Sequence, residues 1–242
     1  MRLAMWSGPR NISTALMRSW ENREDCRVVD EPLYAHYLAV TGIDHPGRDE
    51  VIAAGDTDWR SVVRGLTGPL PPGVRVQYQK HMTHHLVPEI DDHGWLAGLS
   101  NVLLIRDPVE VVASYVRSRE DVTPDDIGLP QQARLHTELA ERFGAPMVID
   151  AADVLADPEA FLRELCRRHG LAFSDRMLDW PPGPRDSDGV WARHWYAAVE
   201  RSTGFERRSG ELRTVRLGTA AAAVADACRP AYEHLHALRW TP

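Results

Sequence analysis

Short apolar runs alternate along this chain with stretches whose apolar positions recur at helical spacing. Leu3, Ala4, Met5 and Trp6 form the first run; Ser7-Gly8-Pro9-Arg10-Asn11 breaks it, and a helical pattern follows over about 12–20. Arg27-Val28-Val29-Asp30 predicts a second strand, and the turn formers Gly68-Pro69-Leu70-Pro71-Pro72-Gly73 precede a third over 74–79. The clearest strand is Asn101-Val102-Leu103-Leu104-Ile105, whose unbroken apolar run predicts burial on both faces, as in a parallel sheet. Asp107 and Pro108 then supply a cap and a first-turn proline for a helix reaching about 119. Further along come a helix over 131–143, a strand over 146–149, and a helix opened by Asp157-Pro158 with Phe161, Leu162, Leu165 and Cys166 at helical spacing. A C-terminal helix carrying Ala220 to Ala223 ends near Leu238. The loop-like stretch 181–188 is expected to act as a lid. This order predicts an α/β fold: one three-layer domain over residues 1–242, a central parallel β-sheet flanked by helices, with ligands at the carboxyl ends of the strands.

Composition changes the picture only by exclusion. At 43% hydrophobic and 26% charged, the 242 residues suit an ordinary globular core rather than disorder or a fibre. A net charge of -7 gives no general attraction to polyanions, so nucleic acid is not an expected partner and any bound anion must be held by a local cluster of donors. No window approaches the roughly 18 apolar residues of a membrane helix, and the first strand runs into its loop too early for a signal peptide. Cys26, Cys166 and Cys228 are odd in number and widely spaced, which fits reduced thiols in a cytoplasm.

Two strand ends carry anion chemistry. The loop from Ser7 to Thr14 opens a helix, so backbone N–H groups and the positive end of the helix dipole face whatever sits there, with Arg10, Ser13 and Thr14 as added donors. It lacks the Gly-Lys-Ser/Thr ending of a Walker loop. At the end of the apolar strand stands Arg106, with Ser114 two turns into the next helix. Each feature also has a plain structural reading: a well-capped helix at the first, an ion pair of Arg106 with Asp107 or Glu110 at the second. Together they suit a ligand with negative groups at both ends.

Pro9-Arg10-Asn11-Ile12-Ser13-Thr14-Ala15-Leu16 resembles the 5′-phosphosulfate loop of sulfotransferases that use 3′-phosphoadenosine 5′-phosphosulfate (PAPS), usually Pro-Lys/Arg-Ser-Gly-Thr-Thr and an apolar residue. The run from Ile105 to Tyr115 resembles that family's 3′-phosphate motif, in which an arginine and a serine eight positions later hold the phosphate; Arg106 and Ser114 keep the spacing. Asp153 to Glu159, with Leu162, Leu165, Cys166, Gly170 and Leu171, is similar to the family's late strand-to-helix segment. Asp30-Glu31-Pro32-Leu33-Tyr34 and Lys80-His81-Met82 resemble the small bacterial members and the sulfotransferase-like domain of plant aminotransferase-like proteins. The resemblance implies a P-loop-like fold and PAPS as co-substrate, bound by Pro9, Arg10, Asn11, Ile12, Ser13, Thr14, Arg106 and Ser114, and it implies no metal. Arg207-Arg208-Ser209-Gly210 is the approximate counterpart of the family's Arg-Lys-Gly motif, which would bring Arg207 and Arg208 to the 3′-phosphate; solvated surface charge is their other reading. Ile12 stands where the loop usually has glycine, and Ala15 where cytosolic members often place an adenine-stacking tryptophan.

Sulfuryl transfer needs a nucleophile in line with the leaving oxygen, donors on the developing charge and a base for the acceptor's proton. The resemblance implies Arg10 and Lys80 as the donors and Glu31 as the preferred base, with His81 as its rival. Lys80 and His81, adjacent in sequence, should point to opposite faces of a strand, which puts Met82 on the Lys80 face. Glu31 could instead serve the dipole of a following helix, and His81 could be a satisfied core residue. His84 and His85 are expected near the acceptor, while Trp191, Trp195 and Tyr196 read first as packing residues. No nearby Asp, Glu or Cys completes a metal set with His81, His84 and His85. The expected activity is transfer to a hydroxyl or amine of a small-molecule acceptor. The alternatives are a non-catalytic binder of PAPS or adenosine 3′,5′-bisphosphate, and a P-loop-like small-molecule kinase.

Overall fold

The computed structural model describes residues 1–117, 121–206 and 216–241. Its sheet has five strands, β1 (Arg2–Ser7), β2 (Cys26–Asp30), β3 (Val76–Met82), β4 (Ser100–Ile105) and β5 (Met147–Asp150), in the order β2-β3-β1-β4-β5. Every pairing is parallel. The first connection runs from β1 outward to β2, and the one after β3 crosses β1 to reach β4. Connections therefore leave the middle of the sheet toward opposite edges, which opens a crevice beyond the carboxyl end of β1.

The alternation of side chains along β1 divides the core. Leu3 and Met5 face one layer, with Leu16, Met17 and Trp20 of α1 (Ser13–Glu21) and Phe161, Leu162 and Leu165. Ala4 and Trp6 face the other, with Val112, Leu135, Ala225 and Leu235. All four β1 residues are fully buried, so both faces of the strand are covered, as its unbroken apolar run requires.

Between β2 and β3 lie three helices that were not among the predicted elements: α2 (Tyr34–Thr41), α3 (Arg48–Ala54) and α4 (Trp59–Thr67). After β4 come α5 (Pro108–Tyr115), α6 (Pro124–Ile127) and α7 (Leu129–Arg142); after β5, α8 (Ala151–Ala156), α9 (Pro158–Arg168), α10 (Ala192–Trp195), α11 (Ala197–Glu200) and α12 (Thr219–Ala237). Asp107 and Asp157 cap α5 and α9 as expected, each accepting a backbone N–H from the first turn.

Three expectations need correction. β3 begins and ends later than 74–79, because its parallel pairing with β1 continues to the Ser7–Met82 partner pair and carries Lys80 and His81 into the strand. α5 ends at Tyr115, short of 119. The stretch 181–188 is no lid: none of it lines the cleft described below, and the Asp188 carboxylate is tied to buried Arg18 at 2.6 Å. No helix among the described residues is long and apolar enough to cross a membrane.

Candidate active site

At the carboxyl end of the sheet is a cleft of about 680 Å³. The loop leaving β1 forms one wall. A Cβ on Gly8 would meet the Ile127 carbonyl oxygen at 2.1 Å, so only glycine lets α6 lie on this loop. Arg10 adopts a left-handed backbone, φ 54°, at a cost of about 1 kcal/mol for a side chain with a Cβ. Ile12 has φ −84°, so the positive-φ position falls at Arg10 and the loop needs no glycine at 12.

That strained turn is held from the next strand. Arg106 Nη1 donates to the Arg10 carbonyl oxygen at 2.9 Å, Arg10 Nε donates to Ser114 Oγ at 3.0 Å, and Asn11 Nδ2 donates to the Leu104 carbonyl at 3.1 Å. Arg106 is also paired with Glu110 at 3.0 Å, the partner offered by its structural reading. Burial, with Arg106 and then Arg117 nearby, lowers the pKa of Arg10: cations are crowded at this wall, and an anion would relieve them. The first turn of α1 has no side-chain cap and no acidic residue, which leaves its N–H groups facing the same space. Pro9, Arg10, Asn11, Ile12, Ser13, Thr14, Arg106 and Ser114 all line the cleft.

The opposite wall is built on β2 and β3. Glu31 follows β2 with φ 40°, the second left-handed residue with a side chain, and its N–H donates to the Lys80 carbonyl oxygen at 2.9 Å. Lys80 is 1% exposed, and its three ammonium protons are all placed inside the protein. Nζ donates to Asp30 Oδ1 at 2.9 Å, Glu31 Oε1 at 2.5 Å and the Tyr196 hydroxyl at 2.7 Å. Burial opposes the charge on Lys80, but Asp30, Glu31 and Tyr196 outweigh it and raise its pKa well above that of an ordinary lysine. Burial first, then the charge of Asp30, raises the pKa of Glu31 against the pull of Lys80.

Lys80 and His81 do face opposite ways. His81 stacks on Trp6 with ring centroids 4.1 Å apart, bonds to Gln79 at 3.1 Å, and lies outside the cleft. Burial, with Lys80 next, pulls its pKa down to about 3, so it is a neutral core imidazole. Met82 shares the Lys80 face and lines the cleft, as do His84 and His85. Burial lowers His84 to about 4 and His85 well below the usual histidine range. His85 lies between Tyr34 and Tyr37, each centroid 4.7 Å away. Among the described residues no cluster of three or more His, Cys, Asp or Glu is placed to hold a metal ion.

Sequence reasoning missed Asp30 as a lysine partner, Tyr37 as a wall, Arg117 as a third cation, and Tyr196, whose hydroxyl reaches Lys80 from 116 positions along the chain. The wording Asp30-Glu31-Pro32-Leu33-Tyr34 was the one signal available for Asp30; nothing near Tyr196 announces its role. Trp195 also lines the cleft, whereas Trp191 packs against Tyr34, the centroids 5.1 Å apart. Arg207 and Arg208 lie outside the described residues.

Known proteins share the fold that carries this cleft. A family model described as a sulfotransferase domain matches residues 1–237. Two curated relatives from Arabidopsis thaliana are similar to the chain: branched-chain-amino-acid aminotransferase-like protein 1, 36% identical over 88% of this chain, and protein 2, 34% identical over 83%. The chain spans only 38% and 35% of their respective lengths. Among solved structures, a sulfotransferase domain from the curacin biosynthetic pathway superposes with a TM-score of 0.54 at 14% identity, covering 99% of this chain and 98% of its own. A sulfotransferase from Alicyclobacillus acidocaldarius gives 0.52 at 12%, covering 100% and 97%. Those two share the P-loop-like α/β fold, and the family match runs through both walls of the cleft. The chain belongs to the sulfotransferase domain family.

Proposed function

We propose that this protein is a PAPS-dependent sulfotransferase acting on a hydroxyl or amine of a small-molecule acceptor. The observation that carries the reading is the single cleft in which Arg10, Arg106 and Ser114 are bonded together on one side while Glu31 stands on the other. Crowded guanidinium groups and an uncapped helix start suit a ligand that brings phosphate and sulfate. Arg106 and Ser114 would hold the 3′-phosphate; Arg10 and the N–H groups of Asn11, Ser13 and Thr14 would hold the 5′-phosphosulfate, the Ile12 N–H being taken by Asn11 Oδ1 at 2.9 Å. No step requires a metal.

Glu31 is the base in this reading. The acceptor oxygen or nitrogen forms a bond to sulfur as the bond from sulfur to the 5′-phosphate oxygen breaks. The acceptor's proton passes to Glu31, and adenosine 3′,5′-bisphosphate leaves. A carboxylate with a raised pKa is suited to take that proton near neutral pH. Lys80, which lines the cleft beside Glu31, would lend positive charge to the transferring group in this reading. His81, on the far face of β3, is given no part.

The wall over β2 and β3 is aromatic, with Tyr34, Tyr37, His84 and His85 beside Met82 and both imidazoles uncharged. That surface suits an acceptor presenting a ring or apolar body rather than an anionic group. The unpaired Cys26, Cys166 and Cys228 suit a reducing cytoplasm.

Titration with adenosine 3′,5′-bisphosphate should raise the melting temperature, and PAPS with a panel of phenols, alcohols and amines should yield a sulfated product. Indifference to the nucleotide would remove the assignment. A second reading, a binder that has lost transfer, is favoured by the complete use of the Lys80 protons within the protein. Nucleotide binding with no product from any acceptor would select it. A kinase reading finds no support, since the loop has no Walker lysine.

A further inference from the structure

Two carboxylates share one lysine at this site, and they are not equivalent. With Lys80 charged, Asp30 and Glu31 together leave one excess negative charge in a nearly dry setting, so one of the two is driven to hold a proton. The surrounding donors decide which. The Tyr196 hydroxyl accepts from Lys80 Nζ at 2.7 Å and from Trp191 Nε1 at 3.3 Å. Its own single proton goes to a carboxylate: Asp30 offers Oδ2 at 2.7 Å and Oδ1 at 2.9 Å, while the bond to Glu31 is the least of the influences on that residue. The Gly189 N–H adds a longer bond to Oδ2 at 3.3 Å. Asp30 thereby accepts at both carboxylate oxygens, from Lys80, Tyr196 and Gly189. It also lies off the cleft, whereas Glu31, Lys80 and Tyr196 line it.

We propose that Asp30 is a positioning residue: tied down by Tyr196 behind the cleft, it serves as the lasting counter-ion of Lys80 and leaves Glu31 as the carboxylate that gains and loses a proton. This rests on the reading of Glu31 as the base and explains why the sequence Asp30-Glu31 needs both acids. The left-handed backbone of Glu31 is part of the device, because adjacent residues of a regular strand would point to opposite faces, yet both carboxylates here reach one ammonium. The groups facing Glu31 are Lys80 from β3, Asp30 from β2 and Tyr196 between α10 and α11. Arg18 of α1, which acts on Tyr196, is closed in its pair with Asp188, and His85 faces Lys80 as a neutral ring.

Infrared difference spectra of the full chain across a pH titration, with no nucleotide present, test the assignment. Wild type should show a protonated-carboxyl component with a midpoint above the 4.5 of an ordinary glutamate, and the wild-type minus Glu31→Gln difference should isolate it from the contribution of Asp150, which burial also raises. In Asp30→Asn the midpoint should fall by about one pH unit or more, because the opposing charge has gone while Lys80 remains. A high-midpoint component that Glu31→Gln leaves unchanged in amplitude, or a midpoint that Asp30→Asn leaves in place or raises, overturns the proposal. Should Asp30→Asn fail to fold, the comparison of wild type with Glu31→Gln still decides. A protein that ignores adenosine 3′,5′-bisphosphate but passes these tests loses the transferase reading and keeps this one.

Discussion

Arg106 reaches across from the end of β4 to bind the backbone of Arg10, its Nη1 donating to the carbonyl oxygen at 2.9 Å. Arg10 in turn spends its Nε on Ser114, two turns into α5. The strained loop and the Arg106–Ser114 pair are therefore one bonded construction. Arg106→Ala should weaken binding of adenosine 3′,5′-bisphosphate by about 100-fold, since a charge-assisted bond contributes about 1.5–3 kcal/mol and the loop loses its brace. Ser114→Ala should cost about tenfold. Calorimetric titration reads both, and wild-type affinity in Arg106→Ala would refute a shared cleft.

Glu31→Gln keeps the shape of the side chain and can still accept from Lys80. Nucleotide affinity should stay within about threefold of wild type, while the transfer rate falls by about 100-fold or more, as expected for loss of a general base. Equal losses in binding and rate would show that Glu31 supports the fold rather than the chemistry.

His81 should matter to acid stability and not to transfer. Its pKa drops from 6.5 to about 3 on folding, so below pH 6.5 the unfolded chain takes up a proton that the folded one refuses. Stability from this group is present above 6.5 and is lost as pH falls, by about 1 kcal/mol per pH unit, until the folded imidazole titrates. His81→Phe keeps a ring against Trp6 but leaves Gln79 short of a partner, at a cost of about 1 kcal/mol near neutrality. In urea unfolding the gap from wild type should close and then reverse between pH 6.5 and 4, with the transfer rate unchanged. A gap that stays constant with pH would mean His81 is not the buried neutral group described.

Gly8→Ala places a methyl where the Ile127 carbonyl oxygen sits 2.1 Å away. Either the loop or α6 must retreat, at about 2 kcal/mol by analogy with overpacked cores. Nucleotide affinity should fall with stability, because the displaced segment is the loop that carries Arg10. Unchanged melting temperature and affinity would show that α6 is not seated on the loop.

Periodicity, turn residues and capping pairs are local properties, and they were enough to place all five strands and the longer helices α1, α5, α7, α9 and α12, but not the short α6, α8, α10 and α11. Of the helices between β2 and β3, α2 escaped because it has three aromatic-ring residues in its first four positions and almost no polar face, whereas α4 does carry an apolar stripe, Trp59, Val62, Val63 and Leu66, that was passed over. The residues brought together at the two strand ends, Arg10 with Ser13 and Thr14 and Arg106 with Ser114, were legible for the same local reason: an arginine at a strand end and a hydroxyl in the following helix leave a short-range mark. The opposed directions of Lys80 and His81 also followed from strand geometry alone.

What the sequence determined by itself was the alternation that makes a parallel α/β sheet and the chemistry deposited at each strand end. Tertiary structure decided which ends meet. The β2-β3-β1-β4-β5 order brings Arg106 to Arg10, sets Glu31 facing them, and sends His81 into the core beside Trp6. It also delivers Tyr196 to Asp30 across 166 positions. No local pattern encodes such a meeting, because residues that far apart are joined by the way layers pack and by the need of buried polar groups for partners.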